Sequence, residues 1–220
     1  MKREIIQTAD GSSTFYVPEL KEHYHSTFGA IQESQHVFIK EGLLFQEKKN
    51  ISIFELGFGT GLNALLTFQN RNNKTNIIYN TIEAYPISNA EITQINYLER
   101  INADNNIANA FSEMHDCEWG KQISLDSHFR FCKYLGKIHE FEMTDFYDVI
   151  YFDAFAPEVQ PKLWEPAIIK KMYNALNIGG VMVTYCAKGQ VRRDMKNAGF
   201  TVERIPGPPG KREMLRAIKH

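Results

Sequence analysis

The chain has 220 residues, 43% hydrophobic and 23% charged, which allows one large α/β domain with a sizeable core and excludes a disordered polymer. No stretch is long and apolar enough to span a membrane, the first ten residues lack the apolar core of a secretory signal, and Cys117, Cys132 and Cys186 are too scattered for a disulfide or zinc framework, so a cytoplasmic location is expected. The net charge is −1, yet the segment from Lys188 to His220 holds nine basic residues against three acidic ones, which suits either a docked polyanion or a solvated helix face.

In chain order, EIIQTADGSSTFYV (residues 4–17) sets two β-prone runs around Asp10-Gly11, a pair that favours a tight hairpin. Ile31, Val37, Phe38, Ile39, Leu43 and Leu44 then recur at roughly helical spacing, with Gly42 near the end. Residues 1–48 are expected to form an extension packed on a main domain of residues 49–220. There, strands are predicted at Ile51–Leu56, Asn76–Glu83, Phe129–Tyr134, Asp148–Asp153 and Val181–Cys186, and helices at Thr60–Asn70, Ser88–Arg100, Lys162–Leu176 and Gln190–Ala198. This alternation implies βαβ units and a mostly parallel sheet. Phe200–Ile205 and Arg212–Ile218 are separated only by PGPPGK, too short for a parallel crossover, so the last two strands must form an antiparallel hairpin. The ground plan is that of class I methyltransferases: a Rossmann-like, seven-stranded, mostly parallel sheet ending in a reversed strand.

The chemistry is concentrated in two places. ELGFGTGLNALL (residues 55–66) ends the first main strand with glycines at 57, 59 and 61. A dinucleotide fingerprint would need its third glycine at position 62, where leucine stands. The pattern looks instead like an S-adenosylmethionine loop, in which the missing Cβ atoms clear room for a ribose, an adenine and a methionyl group. Glu83 closes the next strand, 22 residues after Gly61, where a carboxylate can hold both ribose hydroxyls. A glycine turn with a helix-capping glutamate, or a nicotinamide-dependent oxidoreductase, would use the same residues. The second place is YFDAFAPEVQPKLW (residues 151–164), after the fourth strand. Asp153 stands where the apolar run breaks, on a loop stiffened by Pro157 and Pro161, and Tyr151 or Phe155 could stack a flat substrate. His23, His25 and His36 lack metal-ligand spacing, so no metal is expected. His25, with Glu33, Ser34 and His36, is expected to close over the site or to serve structure alone.

Together DGSSTFY, EHYHSTFGAIQESQHVFI, ELGFGTGLNALL, IEAYP, YFDAFAPEVQPKLWE, VRRDMKNAGF and GKREML closely resemble the methyltransferase half of the MnmC family of tRNA wobble-uridine enzymes, a half also found as stand-alone MnmD-type proteins. The resemblance implies methylation, by S-adenosyl-L-methionine, of the amine of 5-aminomethyl-(2-thio)uridine at tRNA position 34. It places the cofactor on Gly57, Phe58, Gly59, Thr60, Gly61, Asn63 and Glu83, and the catalytic-loop aspartate at Asp153. In YLGKIHEF, Lys137 stands where such enzymes often carry an acidic adenine contact, so that contact passes to the backbone near Ile138 or to Glu140. The relatives' flavin-dependent oxidase domain is not expected in 220 residues, so no FAD chemistry is expected.

Substrate and tRNA contacts are expected from Tyr151, Phe155, Pro157, Arg192, Arg193, Lys211 and Arg212. Asp153, with an unperturbed pKa of about 3.9, is a poor base unless burial raises it, and is given an orienting role. A small-molecule methyltransferase, a polyamine-type aminopropyltransferase and a non-catalytic RNA- or cofactor-binding module remain open from the residues alone.

Overall fold

The computed structural model describes residues 2–220. Strands β1 (Glu4–Gln7) and β2 (Ser13–Val17) form the expected antiparallel hairpin, with Gly11 supplying the left-handed turn at φ 82°. A short strand β3 (Glu22–His23) pairs with β2 and completes a three-stranded sheet. Next, α1 (Ala30–Ser34) runs into a π-helical segment, Gln35–Lys40, and a 3₁₀ turn, Leu43–Phe45. The apolar residues of this segment, Val37, Phe38, Ile39 and Leu43, are buried.

The main sheet follows, with its helices threaded between strands. These are β4 (Asn50–Leu56), α2 (Leu62–Asn70), β5 (Asn76–Glu83), α3 (Asn89–Ile92), α4 (Tyr97–Arg100), α5 (Asn105–Asp116), β6 (Ile123–Asp126), β7 (Phe129–Leu135), β8 (Tyr147–Phe152), α6 (Pro166–Ala175), β9 (Leu176–Thr184), α7 (Gly189–Ala198), β10 (Thr201–Pro206) and β11 (Glu213–Ile218). The spatial order is β10-β11-β9-β8-β4-β5-β7-β6. The strands from β9 to β7 are parallel, whereas β11 and β10 on one edge and β6 on the other are antiparallel.

Alternate residues of each strand serve opposite faces, because Cβ atoms alternate across a strand. Ile53, Val149 and Val181 pack on α2, α5 and the π-helical segment on one face. Phe54, Ile150 and Met182 pack on α6 and α7 on the other. No helix among the described residues is long and apolar enough to cross a membrane.

Three expectations need correction. The sheet has eight strands, not seven, because β6 folds back on β7. The single helix expected over Ser88–Arg100 is two short helices. Docking of the N-terminal sheet divides it: Asn96, between the halves, accepts from Ser13 N and Oγ at 2.8 and 2.9 Å, and Arg3 pairs with Glu91 at 3.3 Å. Helix α5, which the strand and helix predictions omit, is capped by Asp104 and buries Ala110, Phe111 and Met114.

Candidate active site

The chain leaves β4 for β5 and β7 on one side and returns to β8 on the other, so the carboxyl ends of β4 and β8 flank a topological switch point. A cavity of about 1130 Å³ opens there, larger than most single-ligand pockets. Gly57 shows why the loop needs glycine: its φ is 95°, and a Cβ would lie 2.6 Å from the Asp153 carbonyl oxygen. The two strand-end loops can approach this closely only without that atom. Gly61, left-handed at φ 75°, precedes α2, whose first residues Leu62 and Asn63 line the cavity. The Glu83 carboxylate accepts from Gly59 N at 2.9 Å and Tyr85 N at 2.8 Å, which holds it upright on the wall. A backbone cradle with a fixed carboxylate beside it fits a ribose-bearing cofactor.

Asp153 lies on the cavity floor. Asn63, in the first turn of α2, donates from Nδ2 to Asp153 Oδ2 at 2.8 Å and to Glu55 Oε1 at 3.0 Å. Glu55 is fully buried, and burial first, then the neighbouring Asp153 charge, raises its pKa well above the ordinary carboxylate range. Burial likewise pushes Asp153 up to about 7; the Asn63 hydrogen bond and Lys211 oppose the rise, and Glu33 and Glu83 add to it. This is the condition under which Asp153 becomes a competent base near neutrality.

The N-terminal segment roofs the cavity with Tyr24, His25, Ser26 and Glu33. Tyr24 meets Phe155 edge-on at 5.3 Å, and Trp164 Nε1 donates to Phe155 O at 2.8 Å, which fixes the loop that follows Asp153. Burial depresses the His25 pKa to about 4, so the ring is neutral near pH 7; its Nδ1 lies 3.1 Å from Thr14 Oγ1. Phe58, Thr60, Lys137, Ile138 and Glu140 also line the cavity.

Other expected residues lie elsewhere. Tyr151 cannot stack a substrate: it is fully buried against Phe38 and Tyr79, with its hydroxyl 3.1 Å from Thr67 Oγ1. Ser34 is buried in α1, and His36 donates to Pro206 O at 2.8 Å outside the cavity. Pro157 stands off the wall, and Arg192, Arg193 and Arg212 lie outside the cavity. Lys211 is not a free phosphate ligand: it lines the cavity and pairs with buried Glu33 at 2.7 Å. Tyr24 and Tyr185 are lining residues with no role expected from the sequence, Tyr24 although it lies within EHYHSTFGAI. Among the described residues no group of three or more His, Cys, Asp or Glu could hold a metal ion.

Residues 100–220 match a family model described as S-adenosyl-L-methionine-dependent methyltransferase. The chain is 29% identical to the tRNA 5-methylaminomethyl-2-thiouridine biosynthesis bifunctional protein MnmC of Leptospira borgpetersenii serovar Hardjo-bovis (strain JB197), covering 87% of this chain and 31% of that protein. It is also 29% identical to the protein of the same name from Pseudoalteromonas atlantica, covering 97% and 34%. The chain thus spans about a third of the length of these relatives. Among solved structures it resembles the crystal structure of MNMC2 from Aquifex aeolicus, with a TM-score of 0.77 and 25% identity over 99% of this chain and 70% of that one.

Proposed function

The chain belongs to the S-adenosyl-L-methionine-dependent methyltransferase family whose model covers its second half, and from that premise we propose that it methylates the amine of 5-aminomethyl-(2-thio)uridine at the wobble position of tRNA. The observation that carries this reading is the convergence of the Gly57 loop, Glu83 and Asp153 on one cavity beneath the N-terminal roof. Alignment of most of the chain with the bifunctional MnmC proteins supports the substrate. Residues 1–48 are then the roof over a methyltransferase domain of residues 49–220, working on cytoplasmic tRNA.

In this reading Gly57, Gly59, Thr60, Asn63, Glu83 and Ile138 hold the cofactor, while Phe58 and Gly61 shape the loop. S-adenosyl-L-methionine, when bound, supplies a methyl group already activated on a sulfonium sulfur. The displacement therefore requires neither metal nor flavin. Asp153 would accept the proton that the substrate ammonium must lose, freeing the amine's lone pair for attack on that methyl group. With a pKa of about 7, Asp153 is ionised often enough at neutral pH to act, and its proton-holding form is close in energy. Asn63 fixes one carboxylate oxygen. Phe155 and Tyr24 form the aromatic wall against which the base lies, and the cavity is large enough for both ligands.

The test is nucleoside mass spectrometry of tRNA bearing 5-aminomethyluridine after incubation with S-adenosyl-L-methionine. The expected product is the 5-methylaminomethyl nucleoside. Unchanged nucleosides with a protein that demonstrably binds the cofactor would overturn the substrate assignment.

A further inference from the structure

Lys211, in the turn between β10 and β11, and Glu33, in α1, come from opposite ends of the chain and meet in the cavity wall. Lys211 Nζ lies 2.7 Å from Glu33 Oε1 and 3.8 Å from the centre of the Tyr185 ring. The second carboxylate oxygen of Glu33 accepts from Ser26 N at 2.8 Å, in the roof. Tyr185 in turn donates from its hydroxyl to the carbonyl of Ala154 at 2.8 Å, immediately after Asp153. A continuous chain of contacts thus runs from the roof through Glu33, Lys211 and Tyr185 to the backbone of the Asp153 loop. Glu33 is buried, with 6% of its surface exposed, while the Lys211 side chain keeps 32%, so the carboxylate end of the pair is the one shielded from solvent and salt.

We infer that Glu33 and Lys211 are positioning residues of opposite sign, which tie the roof to the Asp153 loop and set how readily Asp153 takes a proton from the substrate. This rests on the reading of Asp153 as the proton acceptor, but the electrostatic claim can be measured without any substrate. Lys211 favours the ionised form of Asp153, and Glu33 disfavours it. The other groups around Asp153 are Glu55 on β4, Glu83 on β5, Tyr79, Tyr97 and Tyr185, and both substitutions below leave them in place.

Breaking the pair from either side has the same mechanical effect and opposite electrostatic effects. Lys211→Met leaves a bare carboxylate facing Asp153, whereas Glu33→Gln leaves a bare ammonium. The experiment is a ¹³C NMR titration of the Asp153 carboxyl in the free protein, with the signal assigned by its loss in Asp153→Asn. The midpoint should rise in Lys211→Met and fall in Glu33→Gln, each by roughly one pH unit, and Lys211→Arg should restore the parent value. The acidic limb of methyl transfer should move with each midpoint. Binding of S-adenosylhomocysteine checks that each variant is folded, and Lys211→Gln substitutes for Lys211→Met if the latter is not. Midpoints that stay put, or that move in the same direction in both variants, overturn the inference. Opposed midpoints without a matching shift in methyl transfer keep the electrostatic role and instead remove Asp153 as acceptor.

Discussion

Asn63 Nδ2 donates to Asp153 Oδ2 at 2.8 Å, from the turn of α2 that begins where the glycine loop ends. In the proposed reading, the loop that makes room for the cofactor and the residue that orients the acid are therefore one continuous piece of chain. One Asp153 oxygen is committed to this bond, and the other accepts no hydrogen bond from the described residues. Asp153→Asn should reduce methyl transfer at least 100-fold, the usual scale for loss of a positioned acid or base. Cofactor affinity should change little, since the interaction belongs to the transition state. Single-turnover kinetics with parallel calorimetry separate the two; near-parental turnover at saturating tRNA would contradict the role.

The same residue predicts a pH-dependent trade of stability for function. The folded-state pKa of Asp153 is raised from 3.8 to about 7, so the fold binds its proton more tightly than the unfolded chain does. Its stabilising contribution is fully present below the unfolded value and is lost as pH rises through about 7. Asp153→Asn should therefore melt higher than the parent at pH 8, and that advantage should shrink steadily on titration to pH 4. Thermal melts across that window decide it. An advantage independent of pH would assign the effect to packing.

Gly57→Ala is expected to disable the cofactor cradle. The added Cβ would lie 2.6 Å from a backbone carbonyl that has no rotamer to escape into, and φ 95° is strained for any L-residue. At Gly59 the obstacle would be the Tyr24 ring at 3.2 Å, a side chain that can yield. Gly59 is also left-handed, at φ 49°, so the conformational cost of ~1–2 kcal/mol is common to both variants; the backbone clash at Gly57 should make Gly57→Ala weaken S-adenosylhomocysteine binding more than Gly59→Ala. Calorimetry of the pair tests the order.

Strands β4, β5 and β8 were readable because their apolar runs stop at turn chemistry, and the antiparallel end was readable because PGPPGK is too short for any crossover. Helix α5 carries a legible signal, Asp104 followed by Ile107, Ala110, Phe111 and Met114, which a single long helix over Ser88–Arg100 obscures. The break in that helix has no local cause: Asn96 and Ser13 are 83 residues apart. Glycine loop, Glu83 and Asp153 lie at strand ends, where topology alone brings them together. Lys211 and Glu33, 178 residues apart, meet only through folding, and a basic motif read by charge count cannot reveal that one of its cations faces inward.

Tyr151→Phe should separate fold from function. The hydroxyl is buried and its bond to Thr67 is 3.1 Å, so its removal should cost about 1 kcal/mol of stability and leave methyl transfer unchanged. Phe155→Ala should do the reverse, weakening the apparent tRNA substrate affinity with little change in melting temperature. Urea titrations and steady-state kinetics on both proteins provide the check, and a kinetic defect in Tyr151→Phe would restore it to the site.

The basic tail can be divided by what each cation already touches. Lys188 pairs with Glu158, Arg204 with Glu213, Lys211 with Glu33, and Arg216 with both Glu41 and Glu203, so these four have carboxylate partners. Arg192, Arg193 and Arg212 form no ion pair with the described residues, and Arg193 and Arg212 are exposed. If this surface meets the tRNA backbone, each of the three that contacts a phosphate contributes about 0.7–0.9 to the slope of log K against log salt. Neutralising all three to glutamine should flatten the slope by roughly 2 to 3 and weaken tRNA binding most at low salt. Cofactor binding should be unaffected, because none of the three lines the cavity. Lys211→Gln belongs in the same titration as the control: its ammonium faces Glu33 and Tyr185 in the cavity wall, so it should alter turnover while leaving the parent's salt slope intact. A triple variant that is folded, binds cofactor and keeps the parental slope would show that these three arginines do not meet the tRNA backbone.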